Sequence, residues 1–242
     1  MEPPRITCID LLRHGEVEGG ARFRGSTDDP LTAEGWAQMW AVVGTELHWN
    51  RIVTSPLGRC ADFARTLARR RSIPLEIHEN LREMHFGAWE GRTAAELMED
   101  RPEALTGFWQ DPLEHPPPGA EPLVQLQSRT LSVWNSLLAR YPGEHMLLIT
   151  HGGPIRIFLC HVLGKPLNRL LEIDVTPAAL YRLCVRPDTG GSLPTQASEL
   201  ACRRGCEKTV ASEGRSRSAG TAVYIEIHED SEHRRNARSR AQ

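Results

Sequence analysis

Two short segments of this chain are composed for chemistry. Arg13-His14-Gly15 follows directly on the apolar run Ile6 to Leu12, and Thr150-His151-Gly152-Gly153 ends a second apolar run, Met146 to Ile149. In an open parallel α/β sheet, residues just past the carboxyl ends of buried strands meet in one crevice, however far apart they lie in sequence. An imidazole beside a guanidinium, with glycines that let backbone amides approach, suits covalent capture of a phosphoryl group. The imidazole would attack phosphorus, and fixed guanidinium and N–H donors would neutralise the charge spread over the phosphoryl oxygens. Arg59, in Ser55-Pro56-Leu57-Gly58-Arg59-Cys60, falls in the first turn after another strand and would reach the same edge. Helix N-termini after Ser55 and after Gly152-Gly153 add partial positive charge.

Departure of the leaving group requires a proton. The segment Leu81-Arg82-Glu83-Met84-His85-Phe86-Gly87-Ala88-Trp89-Glu90-Gly91 offers two carboxyl groups, Glu83 and Glu90, among aromatic and glycine residues. Either could be the acid, since desolvation by Met84, Phe86 and Trp89 would favour the protonated form. Glu90 has a competing structural role, as a hydrogen-bond partner for the helix that begins near Arg92-Thr93. Phe86, Trp89 and Phe23 are candidate aromatic walls for the leaving group.

These residues need a scaffold that brings strand ends together, and the chain alternates strand-like and helix-like segments as a helix-flanked, mostly parallel sheet requires. Strands are expected at Ile6 to Leu12, Arg51 to Ser55, Leu75 to His78, Met146 to Thr150, Leu170 to Val175 and Leu180 to Val185. Thr32 is placed to cap a helix running toward Glu46, and Phe63 and Leu67 share one face of a helix after Ser55-Pro56. Leu126, Thr130, Val133, Leu137 and Leu138 form an amphipathic stripe ahead of the His151 strand. Residues Asp100 to Pro122, with Pro112 and Pro116-Pro117-Pro118-Gly119, read as a long surface connection or lid beside the crevice. Beyond Arg186 the chain becomes rich in Gly, Ser, Arg and Glu, which predicts a domain over 1–186 and a largely disordered tail over 187–242. Within that tail, Ala222-Val223-Tyr224-Ile225-Glu226-Ile227 alone has the character of an added edge strand.

The 242 residues and 40% apolar content supply a sizeable core, and a net charge of -2 from 29 basic and 31 acidic residues gives no general drive toward nucleic acid or an anionic membrane. No apolar run reaches membrane-spanning length and the N-terminus lacks a signal-peptide core, so a cytoplasmic protein is expected. Cys8, Cys160 and Cys184 lie in apolar segments and read as reduced, buried residues. Cys202 and Cys206 have the spacing of half a metal site without a second half, so neither metal nor cofactor is expected.

Taken together, Arg13-His14-Gly15-Glu16, Pro30-Leu31-Thr32-Ala33-Glu34-Gly35, Ser55-Pro56-Leu57-Gly58-Arg59-Cys60 and Thr150-His151-Gly152-Gly153 resemble the signature segments of the histidine phosphatase, or phosphoglycerate-mutase-like, superfamily over about residues 6 to 186. The resemblance implies a three-layer α/β sandwich. It also implies His14 as nucleophile, Glu83 as proton donor, and Arg13, Arg59 and His151 as the phosphate pocket, with Gly15 and Gly152 beside the phosphate. Within the superfamily, the segment Leu81 to Gly91 looks most like α-ribazole-5'-phosphate phosphatases of cobalamin synthesis. The other readings are a broad-specificity sugar or nucleotide phosphatase, a phosphoglycerate mutase, and a non-catalytic phosphate-binding interaction module. In each the partner is a small phosphomonoester or phosphate group, bound by a monomer or homodimer. Many members carry Asn six residues after the nucleophile, where this chain has Gly20; Arg22, Arg24 or a backbone amide is the expected replacement in a loop shorter than usual.

Overall fold

A computed structural model describes residues 6–44, 47–186 and the backbone of 222–228. The strands are β1 (Thr7–Arg13), β2 (Arg51–Thr54), β3 (Leu75–Ile77), β4 (His145–Thr150), β5 (Leu180–Arg186) and β6 (Ala222–His228). They form one sheet in the order β3-β2-β4-β1-β5-β6. The first four strands in this order run parallel, β5 is antiparallel to β1, and β6 is antiparallel to β5.

Helices cover both faces because the central strands are apolar on both. On β4, Met146 and Leu148 pack against α5 (Leu123–Arg140) and α6 (Gly152–Leu163), while Leu147 and Ile149 pack against α1 (Ala33–Val43) and α2 (Gly58–Arg71). This period-two alternation in a parallel strand makes the three-layer sandwich. Thr32 caps α1 as expected, its side chain accepting from the amide of Gly35, but the helix stops at Val43, short of Glu46, which lies outside the described residues. The α5 stripe is buried at Leu126, Thr130, Val133 and Leu137, with Leu138 at its margin. Leu180 to Val185 pairs along β1 as expected.

The structure departs from the sequence expectations at four places. Leu170 to Val175 is no strand: Leu167–Glu172 forms a 3₁₀ turn after Pro166, and only Leu170 of that turn is buried. A short apolar run carries no period of its own, so its composition alone cannot fix it as a strand. Asp100 to Pro122 is no bare connection, because α4 (Pro102–Gln110) starts on Pro102 and buries Leu105 and Phe108. With α3 (Ala94–Asp100) it makes an arm whose third apolar cluster includes Met84, Trp89, Leu126 and Ile157. Cys8 and Cys184 are joined in a disulfide instead of being reduced. They are register partners on β1 and β5 with Cα atoms 4.2 Å apart, a juxtaposition with no local sequence signal across a separation of 176 positions. Finally, the tail expected to be largely disordered is ordered at Ala222–His228, which pairs with β5 over its whole length and supplies the edge strand that its residues suggested. The rest of 187–242, including Cys202 and Cys206, lies outside the described residues. Among the described residues, no helix is long and apolar enough to cross a membrane and no cluster of His, Cys, Asp and Glu is arranged to hold a metal.

Candidate active site

Parallel pairing of β1 with β4 sets Arg13 opposite Thr150, so His14 and His151 leave adjacent strands side by side. The His14 amide donates to the Thr150 carbonyl at 3.0 Å, and the two imidazoles meet edge to face with centroids 5.2 Å apart. The two histidine segments, 137 positions apart, thus form one site because two buried strands share a register.

His14 is 7% exposed and its Nδ1 lies 2.8 Å from the carbonyl of Gly15. A carbonyl only accepts, so Nδ1 carries the hydrogen and Nε2 keeps its lone pair. Burial, with Arg13 and Arg59 close by, pushes the His14 pKa down to about 3, and the neutral, nucleophilic imidazole prevails near pH 7. His151 is fully buried and driven well below its ordinary range by burial, then by Arg59 and His14. Its Nδ1 accepts from Arg59 Nε at 3.2 Å, which leaves Nε2–H to donate to Ser55 Oγ at 2.7 Å. The thiol of Cys60, raised by burial, packs 3.7 Å from the same ring.

Arg59 is 1% exposed and also donates to the carbonyls of Thr27 and Gly25 at 2.7 and 3.1 Å. It therefore joins the first turn of α2 to the loop after His14. Arg13 donates from Nη1 to the Val175 carbonyl, but its Nε is buried without a hydrogen-bond partner. Leaving a buried guanidinium N–H unpaired is costly. Gly15 is required by packing: a Cβ there would come within 2.2 Å of the Gly35 carbonyl oxygen at the start of α1.

The structure separates the two candidate acids. Glu90 is clasped by the amides of Phe86, Gly25, Ser26 and Thr27 and by the Thr27 hydroxyl. Burial pulls its pKa upward, yet these donors, Phe86 first, hold it below the usual carboxylate range. Glu90 is thus an ionised brace tying two loops. Glu83 lies instead at the start of α6, next to the glycines that follow His151. Its carboxylate accepts from the Gly153 amide at 3.1 and 3.2 Å and from the Met84 amide at 2.8 Å, which aims it at the N-terminus of α6. A Cβ on Gly153 would sit 2.2 Å from Glu83 Oε1, so glycine is required there for the carboxyl to enter.

Other predicted contacts are used elsewhere. Arg24, 8% exposed, donates to Asp29 and to the carbonyls of Gly20 and Glu18, and Arg22 donates to those of Gly19 and Gly91. Both brace the shortened loop around Gly20. Trp89 is 1% exposed and packs with Phe23 and Phe108 in the core of the arm, whereas Phe86 of the proposed aromatic wall borders a cavity.

Two arginines escaped the motif reading. Arg129 on α5 donates to the carbonyls of Asn80, Arg82 and Glu83 and pairs with Glu121, splinting the loop that carries Glu83. Arg156 on α6 donates from Nε to the Ile173 carbonyl at 2.9 Å and lies beside Glu83 and Arg13. On an amphipathic helix, each reads as an ordinary solvated charge. The only available signal was the placement of Arg156 one helical turn after the second His-Gly pair.

A neutral imidazole, two arginines and a carboxyl are thus gathered at one strand-end crevice. The model of the histidine phosphatase superfamily (branch 1) matches residues 9–193, and the chain belongs to that family. It is 33% identical over 182 residues to a bifunctional protein of Mycobacterium tuberculosis, covering 73% of this chain and 47% of that one. The chain thus spans about half the length of that relative. It is 32% identical over 177 residues to a glucosyl-3-phosphoglycerate phosphatase of Mycolicibacterium vanbaalenii, covering 68% of this chain and 77% of the relative. The solved mycobacterial glucosyl-3-phosphoglycerate phosphatase superposes with a TM-score of 0.66 at 27% identity, covering 74% of this chain and 91% of that one. An α-ribazole phosphatase from Shigella flexneri shares the fold, with a TM-score of 0.63 at 24% identity over 73% of this chain and 89% of that one.

Proposed function

We propose that this chain is a phosphomonoesterase that passes its phosphoryl group through His14. The observation that carries this reading is the fixed tautomer of His14: Nδ1–H is held on the Gly15 carbonyl, and Nε2 is free beside Arg13. In the first step the Nε2–P bond forms as the ester P–O bond breaks, and the leaving oxygen takes its proton from Glu83. In the second step water attacks phosphorus, gives its proton to Glu83 and releases phosphate, which restores the imidazole. Arg13 and Arg59 offset the charge on the phosphoryl oxygens throughout, and His151, neutral and with both ring nitrogens engaged by Arg59 and Ser55, serves to orient Arg59 and not to bind phosphate itself.

The leaving group has a polar cleft of about 390 Å³ running outward from Glu83 and Gly25 along Ser26, Asn80, Arg82, His85 and Gln125. Such a lining supports a hydroxyl- or carboxylate-bearing leaving group, the chemistry in the names of the glucosyl-3-phosphoglycerate phosphatases. The second reading, α-ribazole 5'-phosphate, rests on Phe86 and Phe108 beside a cavity of about 60 Å³ on the other side of Glu83.

Rapid quench of the protein with a labelled phosphomonoester is expected to trap acid-labile, base-stable label on His14, with turnover unchanged by chelators. Label persisting in His14→Ala would remove the mechanism. Comparing kcat/KM for glucosyl-3-phosphoglycerate, α-ribazole 5'-phosphate and 3-phosphoglycerate, the last also assayed for mutase product, sorts the substrates. A tenfold preference for the ribazole ester, equivalent to about 1.4 kcal/mol, would select the second reading.

A further inference from the structure

Three consecutive carbonyls after the 3₁₀ turn each accept a hydrogen bond from a different element. Ile173 accepts from Arg156 Nε at 2.9 Å, Asp174 from Tyr181 Oη at 2.7 Å, and Val175 from Arg13 Nη1. Two guanidiniums, one from the end of β1 and one from the first turns of α6, therefore hang on the same stretch of backbone. Side chains on a helix lean toward its N-terminus, so Arg156 reaches back over Gly152, one turn earlier. A Cβ built on Gly152 would lie 2.9 Å from Arg156 Nη1, 3.8 Å from Arg13 Nε and 3.8 Å from Glu83 Oε2. These three groups thus enclose one small volume above the N-terminus of α6, kept open by the missing side chain of Gly152.

Two cations so close repel, and Arg156 is among the charges that, after burial, press the Arg13 pKa down. Arg13 Nε, a buried atom of a half-buried side chain, has no hydrogen-bond partner among the described residues. Both conditions are relieved by an anion placed between the two guanidiniums, beside the carboxyl that protonates the leaving oxygen. We propose that Arg156 is a further ligand of the transferring phosphoryl group, donating from its Nη1 end to a phosphoryl oxygen shared with Arg13. The inference rests on the phosphomonoesterase reading and adds to it a residue that no motif marks. The Ile173 tether gives Arg156 its reach, as Val175 does for Arg13.

Orthovanadate, which presents a phosphoryl-like anion at the nucleophile, is the probe. Arg156→Gln is expected to weaken inhibition of the full-length protein by orthovanadate tenfold or more and to lower kcat/KM by a similar factor. Arg156→Lys, which keeps the positive charge, is expected to stay within threefold to fivefold of the parent, with the Tm of both variants close to that of the parent. Unchanged orthovanadate affinity in Arg156→Gln overturns the proposal. Equal losses in the Gln and Lys variants also overturn it, because the effect would then follow the lost Ile173 tether and not the charge. Should Arg156→Gln fail to fold, a crystal structure of the parent protein with orthovanadate decides. Arg156 Nη1 at hydrogen-bond distance from a vanadate oxygen supports the assignment, and a solvent-filled gap overturns it. Trapping of label on His14 in the parent protein tests the phosphomonoesterase reading separately. Label on His14 with no vanadate contact to Arg156 removes this inference alone.

Discussion

Strand β1 carries two buried polar centres close together, and they are built on opposite principles. Asp10 is fully buried and saturated: Arg182 donates to both of its oxygens at 2.7 and 2.9 Å, Trp49 Nε1 donates at 2.8 Å, and His145 Nε2 lies 3.0 Å away. Arg13 and His14, at the end of the same strand, are left open, with one guanidinium N–H unpaired and one imidazole nitrogen unoccupied. A satisfied buried charge specifies and stabilises a fold, whereas an unsatisfied one is a cost the fold carries for a ligand. The difference sets a closed centre at Asp10 against an open one at Arg13-His14, where the proposed chemistry would take place, and substitutions should separate the two.

The largest expected effect is at the open centre. Glu83→Gln should lower kcat/KM by about 10²- to 10⁴-fold for an alkyl phosphate and much less for a nitrophenyl phosphate, whose leaving group needs little protonation. Glu90→Gln, which weakens the clasp on Gly25, Ser26, Thr27 and Phe86, should reduce Tm and show no such dependence on leaving group. Equal losses on both esters for Glu83→Gln would move the acid elsewhere.

At the closed centre, Asp10→Asn should cost about 3 kcal/mol of stability, because it leaves Arg182 and His145 facing a neutral group. Denaturant unfolding reads the loss directly. Turnover per folded molecule should remain within about threefold, and a collapse of turnover with stability intact would erase the distinction between the centres.

The Cys8–Cys184 disulfide ties β1 to β5 a few residues from both centres. Reduction, or the double substitution to Ser, should remove about 2 to 4 kcal/mol. The Tm should fall accordingly, while the chemistry at His14 persists below the new midpoint.

Acid should act on both centres, with the sign set by each group. The folded pKa of Asp10 is lowered to about 2 from 3.8 by Arg182 and His145 acting against burial. Its contribution, about 2 kcal/mol, is present above pH 4 and disappears as pH falls toward 2. His14 and His151 are held neutral by burial, so below about pH 6.5 the unfolded chain binds protons that the folded one refuses. Stability should therefore decline first between pH 6.5 and 4 and then more steeply. Asp10→Asn should remove the lower step and leave the upper one, and a single unshifted step would refute the assignment.

Much of this was legible in the residues alone. Apolar runs ending in His-Gly placed two histidines at strand ends, and alternation of strand and helix patterns placed those ends together, because burial on both faces of a parallel sheet leaves a plain imprint on composition. The motifs likewise marked Arg13 and Arg59. What only the tertiary structure decided depends on contacts that no local pattern encodes. Glu83 and Glu90 are equivalent as letters, and only their donors distinguish a carboxyl aimed at α6 from one clasped between loops. Trp89 and Phe86 share one aromatic segment, yet one is core and the other borders a cavity. Cys8 meets Cys184 through strand register, and Arg156 reaches over Gly152 because helix geometry carries its guanidinium back toward the start of α6. Sequence period records which faces are buried. Which buried groups are satisfied is settled only when distant segments pack.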